Sequence, residues 1–127
     1  MSYGFSKMVD LPFDATVEKV TAELQKEGFG VLTTIDVQET MKKKLNVDFK
    51  KYKILGACSP PFAHKALLAE EEIGLLLPCN VVVYEKNGKS VVAAFDPMSM
   101  SRVMENPAVE PIASEVKGRL EKVIAAV

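Results

Sequence analysis

The stretch CNVVVYEKNGKSVVAAF, residues 79–95, constrains this chain more than any other. Two runs rich in valine flank Asn87-Gly88. That dipeptide accepts the left-handed backbone of a two-residue hairpin turn at little steric cost. Cys79–Glu85 and Lys89–Phe95 are therefore expected to be neighbouring antiparallel strands. Asp96-Pro97 ends the second of them and reads as a turn.

The segments before the hairpin alternate between strand and helix patterns. Tyr3–Val9 reads as a first strand. Leu11-Pro12-Phe13-Asp14 opens a helix whose Phe13, Val17, Val20 and Leu24 recur at helical spacing, and Gly28 can end it. Val31–Asp36 is a β-branched second strand. Val37–Leu45 follows as a short helix, with Asp36 as cap and Glu39 at the third helical position. Tyr52–Cys58 is a third strand. Ser59 is a suitable helix cap, and Pro60 and Pro61 suit a first turn. The helix then runs over Phe62–Glu70, with Phe62, Ala63, Ala66, Leu67 and Ala69 inward. Ile73–Leu77 fits either a helical turn or an extended segment.

After the hairpin, Met98–Glu105 reads as a loop or weak strand. Asn106-Pro107 then resembles a cap and first turn. Val109, Ile112, Val116, Leu120, Val123 and Ile124 form one apolar stripe of a last helix. Pro111 is discordant, because proline inside a helix removes a hydrogen bond and clashes with the preceding turn. Either the helix kinks there or it begins near Pro111.

This order predicts an α+β fold: a two-layer sandwich with a mostly antiparallel sheet of about five strands and helices packed on one face. The other face is left for a partner subunit to cover. A length of 127 residues fits a single domain spanning 1–127. Lys plus Arg number 16 and Asp plus Glu 17, a net charge of −1. That balance argues against nucleic-acid binding, which needs a basic surplus to displace counterions. The N-terminal MSYGFSKMVDLPFD lacks the pattern of an export signal, and no apolar run approaches a membrane span. A cytoplasmic location is expected, where two cysteines remain free thiols.

Three soft groups, Cys58, His64 and Cys79, lie in or beside the segment from the third strand to the fourth. Cys58 precedes a helix start, where backbone N–H groups favour a thiolate. The cluster suits a reactive thiol or a soft metal, but three candidates leave a tetrahedral site one ligand short, and no Cys-x-x-Cys pair is present. The plainer account makes both cysteines small core residues and His64 a surface group. Lys42, Lys43, Lys44, Lys50, Lys51 and Lys53 suit an anion site, or more simply a solvated helix face and a protected edge strand. Glu70-Glu71-Glu72 reads as a solvated turn. Met98, Met100 and Met104, with Met8 and Met41, suit a copper site or adaptable pocket, and more simply gap filling or a subunit contact. The single histidine and the lack of a nucleophile elbow leave no Ser-His-Asp triad to assemble.

Four blocks carry a family resemblance: GFGVLTTIDV (Gly28–Val37), YKILGACSPPFAHKAL (Tyr52–Leu67), IGLLLPCNVVVYE (Ile73–Glu85) and VAAFDP (Val92–Pro97). In this order they resemble a family of small bacterial and archaeal proteins known only as domain of unknown function 302. The resemblance implies a compact α+β domain, a dimer, and no agreed activity. The family motif falls on Cys58, Pro60, His64, Leu77, Pro78, Cys79 and Asn80. Ser59 departs from the asparagine expected after the cysteine, which keeps a capping residue and removes an amide. Pro111 is a second departure.

The resulting expectation is a domain that binds a small ligand, or responds to thiol-reactive species, through Cys58, Ser59, His64, Cys79 and Asn80. No catalytic residue, metal ligand or cofactor is assigned, and whether the chain is an enzyme stays open. The alternative is a structural homodimer or partner-binding module without chemistry of its own.

Overall fold

A computed structural model describes residues 3–127 of the chain. Met1 and Ser2, the start of the segment read as lacking an export signal, lie outside the described residues. Five strands, β1 (Gly4–Val9), β2 (Gly30–Asp36), β3 (Tyr52–Cys58), β4 (Cys79–Lys86) and β5 (Lys89–Phe95), form one sheet in the order β1-β5-β4-β3-β2. Every neighbouring pair is antiparallel. The helices are α1 (Phe13–Lys26), α2 (Val37–Leu45), α3 (Pro60–Ala69), the single turn α4 (Met100–Val103) and α5 (Glu110–Ala126). The expected α+β architecture is thus the observed one.

The alternation of side chains across the pleat divides the sheet into two faces. Leu55 sits opposite Val81, which sits opposite Ala94, and Val83 pairs with Val92. These residues meet Val20 and Leu24 of α1 and Val116, Leu120 and Val123 of α5 in one core. The other face carries two rows that cross the strands. One runs Met8, Val91, Tyr84, Tyr52, and the other runs Ala93, Val82, Ile54, Ile35.

The caps follow from local chemistry. The Asp36 carboxylate accepts the Glu39 backbone N–H at 2.9 Å, satisfying one of the unpaired donors at the start of α2. Asn46, with φ of 53°, closes that helix in the left-handed region. Asn87 and Gly88 both take positive φ in the β4–β5 turn, as the hairpin reading requires. Pro111 lies in the first turn of α5, so the helix begins there and no kink forms.

Two expectations are corrected. Met98–Glu105 contains no strand, and only Met104 and Glu105 are loop. A 3₁₀ turn over Pro97–Ser99 leads into α4. Asp96 explains this: its carboxylate accepts the Met98 N–H at 2.9 Å and pairs with Lys117 of α5 at 3.0 Å, so Asp96-Pro97 caps a helix as well as ending a strand. The strand after the lysine cluster is also no edge, since β3 lies between β2 and β4. The ambiguous segment Ile73–Leu77 falls mostly within a 3₁₀ turn over Glu71–Leu76.

Candidate functional site

The interior is not filled evenly. A second, smaller group of buried side chains, Ala66, Ile73, Met100, Val109 and Ala113, packs beside the main core. Between the two groups lies a cavity of about 310 Å³. Its wall takes Phe29, Ala57, Cys79 and Val116 from the main core and all five residues of the smaller group. The remaining wall comes from Leu32 of β2, the end of β3, the inner side of α3, Gly74, Leu77-Pro78, Pro97 and Ile112 of α5. Protein interiors are close-packed, so a space this large needs a cause. Ala57, Ala63, Ala66 and Ala113 supply one, because each presents a single methyl where a larger residue would fill the space.

Of the side chains expected to form a site, Cys58, Ser59 and Cys79 line this cavity. His64 and Asn80 do not. His64 is exposed, because steps of about 100° along a helix that turn Phe62, Ala63, Ala66 and Leu67 inward turn position 64 outward. Asn80 is exposed on the sheet face opposite the main core, across from Gly56. Ser59 occupies the cap position of α3 without a side-chain cap hydrogen bond, and the two prolines that follow offer no N–H to accept. Its buried side chain faces the cavity wall instead. Phe29, Leu32 and Ile112 also line the cavity, and each reads in the sequence as an ordinary apolar core position; Met100, one of the methionines suited to an adaptable pocket, lines it as well.

The two thiols sit on neighbouring strands. Cys79 pairs with Ala57, the residue before Cys58. Both are free. Cys58 is half-buried, whereas Cys79 is buried, and that burial, with Cys58 beside it, pushes the Cys79 thiol up to about 11. Cys79 is therefore a neutral thiol at physiological pH, and Cys58 is the more accessible of the pair.

The wall is apolar apart from the thiols and the Ser59 hydroxyl. Cations approach it at the Phe62 ring. The Arg119 guanidinium lies 5.1 Å from the ring centroid and Lys65 Nζ 6.0 Å. Arg119 is held in place by Glu115 at 3.1 Å and by the Glu27 carbonyl at 3.1 Å. Lysines 42 and 43 form an exposed surface with Asp48 and Glu39 rather than a concentrated anion site. Met100 lines the cavity, and Met98 and Met104 pack against the smaller core group. Among the described residues, no three His, Cys, Asp or Glu side chains converge as a metal site, and no helix is long and apolar enough to cross a membrane.

A family model described as domain of unknown function DUF302 matches residues 5–127. No curated protein matches the chain. A crystal structure of an uncharacterized conserved protein DUF302 from Bacillus stearothermophilus superposes with a TM-score of 0.92 at 30% identity, covering 99% of this chain and 98% of that one. With the family match spanning essentially the whole sequence, the chain belongs to the family of domain of unknown function DUF302.

Proposed function

We propose that this domain binds a small, largely apolar molecule in the cavity between its two core groups. The observation that carries this reading is the cavity itself: about 310 Å³, walled by hydrophobic and aromatic side chains with a few polar groups. Ligand sites of small molecules have this size and character. Cys58 in the wall adds a thiol-reactive aspect, since an apolar molecule with an electrophilic carbon would be concentrated beside it.

Filling the space tests the reading. Ala63→Phe should lower the affinity for an apolar fluorescent probe, N-phenyl-1-naphthylamine, by at least roughly tenfold while leaving the far-ultraviolet dichroism unchanged. Unchanged probe affinity in a folded variant would remove the cavity from consideration.

A homodimer is a second reading, carried by a different observation. On the face away from the main core, Tyr52 and Tyr84 stack with centroids 5.4 Å apart, and Ile35 and Met8 are 50% and 47% exposed. Sheet faces of this kind are normally covered. Sedimentation equilibrium at micromolar concentration should give twice the chain mass, and Tyr84→Glu should return it to the monomer. A monomeric parent protein would end this reading and leave the cavity reading intact.

A further inference from the structure

One polar group in the cavity wall lacks a partner. Ser59 is 7% exposed, and among the described residues its hydroxyl makes no hydrogen bond. Buried hydroxyls are nearly always paired, because taking one out of water unpaired is costly. A serine before a helix usually accepts an N–H two or three residues on. Pro61 has none to give, and the Ser59 side chain does not cap Phe62 either; it lines the cavity. A second group at the same end of α3 is also left over. Ala63 N–H is accepted by the Ser59 carbonyl at 2.9 Å, so Phe62 N–H is the one first-turn donor without an acceptor in the helix. The rest of the wall limits what can pair with these groups. Among the described residues, no Asp, Glu, Lys, Arg or His side chain lines the cavity, so an ionised group inside would be buried without a counter-charge. The side-chain donors are the Ser59 O–H and the S–H of Cys58 and Cys79, and the only side-chain acceptors are sulfur atoms and that same hydroxyl oxygen.

We propose that Ser59 is the polar anchor of the cavity and that its ligand is a neutral carbonyl compound. The oxygen of a ketone or aldehyde accepts the Ser59 O–H while the hydrocarbon part fills the apolar space. This rests on the cavity reading above and specifies the one polar atom of the ligand. A carbonyl fits better than a hydroxyl, which would bring a further donor to a wall where donors already outnumber good acceptors. Volume limits the rest of the molecule. A cavity of ~150 Å³ accepts one benzene ring, so about 310 Å³ accepts roughly twelve non-hydrogen atoms.

The test is calorimetric titration of the native protein and of Ser59→Ala with acetophenone, 1-phenylethanol, ethylbenzene and benzoate. The first three share one carbon skeleton and differ in carrying a carbonyl, a hydroxyl or neither. The native protein should bind acetophenone severalfold more tightly than 1-phenylethanol, and benzoate most weakly. Ser59→Ala should weaken acetophenone about tenfold, the effect of leaving a buried carbonyl unpaired, and leave ethylbenzene unchanged. Without ligand, the same variant removes only a hydroxyl that has no partner, so its thermal midpoint should hold or rise. A fall of about 4 °C or more would show that the hydroxyl is paired inside the protein, and would overturn the anchor. Undiminished acetophenone affinity in Ser59→Ala would overturn it as well. An alcohol that matches the ketone would overturn the carbonyl, and benzoate binding as tightly as acetophenone would overturn a neutral ligand. Each of these results leaves the cavity reading standing as long as ethylbenzene binds. If none of the four binds, the anchor and the cavity reading fall together.

Discussion

Gly56→Ala is expected to destabilise the fold by about 2–3 kcal/mol, despite adding only one methyl group. A Cβ at position 56 would lie 2.3 Å from Thr33 Oγ1 and 2.9 Å from Pro78 Cγ. Neither neighbour moves away easily. Thr33 belongs to β2 and its branched side chain is stiff at χ1. Pro78 carries a rigid ring and sits just before β4. The strain must therefore pass into the backbone of three adjacent strands. Urea denaturation would read the loss directly, and the thermal midpoint should fall by about 10 °C. The double variant with Thr33→Ala should recover part of the loss, because it removes the closer of the two contacts. A fall below about 0.5 kcal/mol would mean that Thr33 and Pro78 both give way readily, and the wall that Pro78 forms in the cavity is then not rigid.

Gly56 shows what a sequence hides. The strand Tyr52–Cys58 was legible, but nothing in the sequence says which residue will face a threonine from β2 and a proline from the β4 approach. Local rules worked where local chemistry decides. Asn87-Gly88 set the hairpin, Asp36 and Glu39 set the start of α2, and the stripe from Val109 to Ile124 set the buried side of α5. They failed at Met98–Glu105, where Asp96 caps the turn through the Met98 N–H and is also held by Lys117, about twenty residues later in the chain.

The candidate site divides along the same line. Cys58 and Ser59 adjoin in the chain at a strand end and a helix start, which the sequence shows, but only the register of β3 against β4 brings Cys79 beside them, and no local pattern encodes that register. The cavity was not legible either. It exists because alanines from β3, α3 and α5 meet across a seam, and an alanine on an apolar stripe looks the same whether it packs tightly or borders a space. His64 and Asn80 carry the family motif yet lie outside this space. Nothing in the packing explains their place in the motif.

Cys79 should be about a hundredfold less reactive toward iodoacetamide at pH 8 in the native protein than in the unfolded chain. The thiolate is the attacking species, and moving a thiol from 9.0 to about 11 lowers the thiolate fraction by two powers of ten. Cys58, half-buried in the cavity wall, should be alkylated first. Peptide mapping after timed labelling separates the two, and equal native rates would contradict the burial of Cys79. The same shift makes stability depend on pH. Below pH 9 the thiol is neutral in both folded and unfolded chains and contributes no slope. Between 9 and about 11 only the unfolded chain ionises, so folding loses up to about 2–3 kcal/mol as pH rises, and above that window the loss is complete. Burial also raises Tyr52, with Tyr84 adding to it, so tyrosine titration overlaps the upper part of this window. Comparison with Cys79→Ala isolates the cysteine: the variant should lack this part of the alkaline slope, whatever its stability at neutral pH. A ligand seated in the cavity should slow alkylation of both thiols, because Cys58 and Cys79 both line it, and the slowing is easier to read at Cys58, whose native rate is the higher.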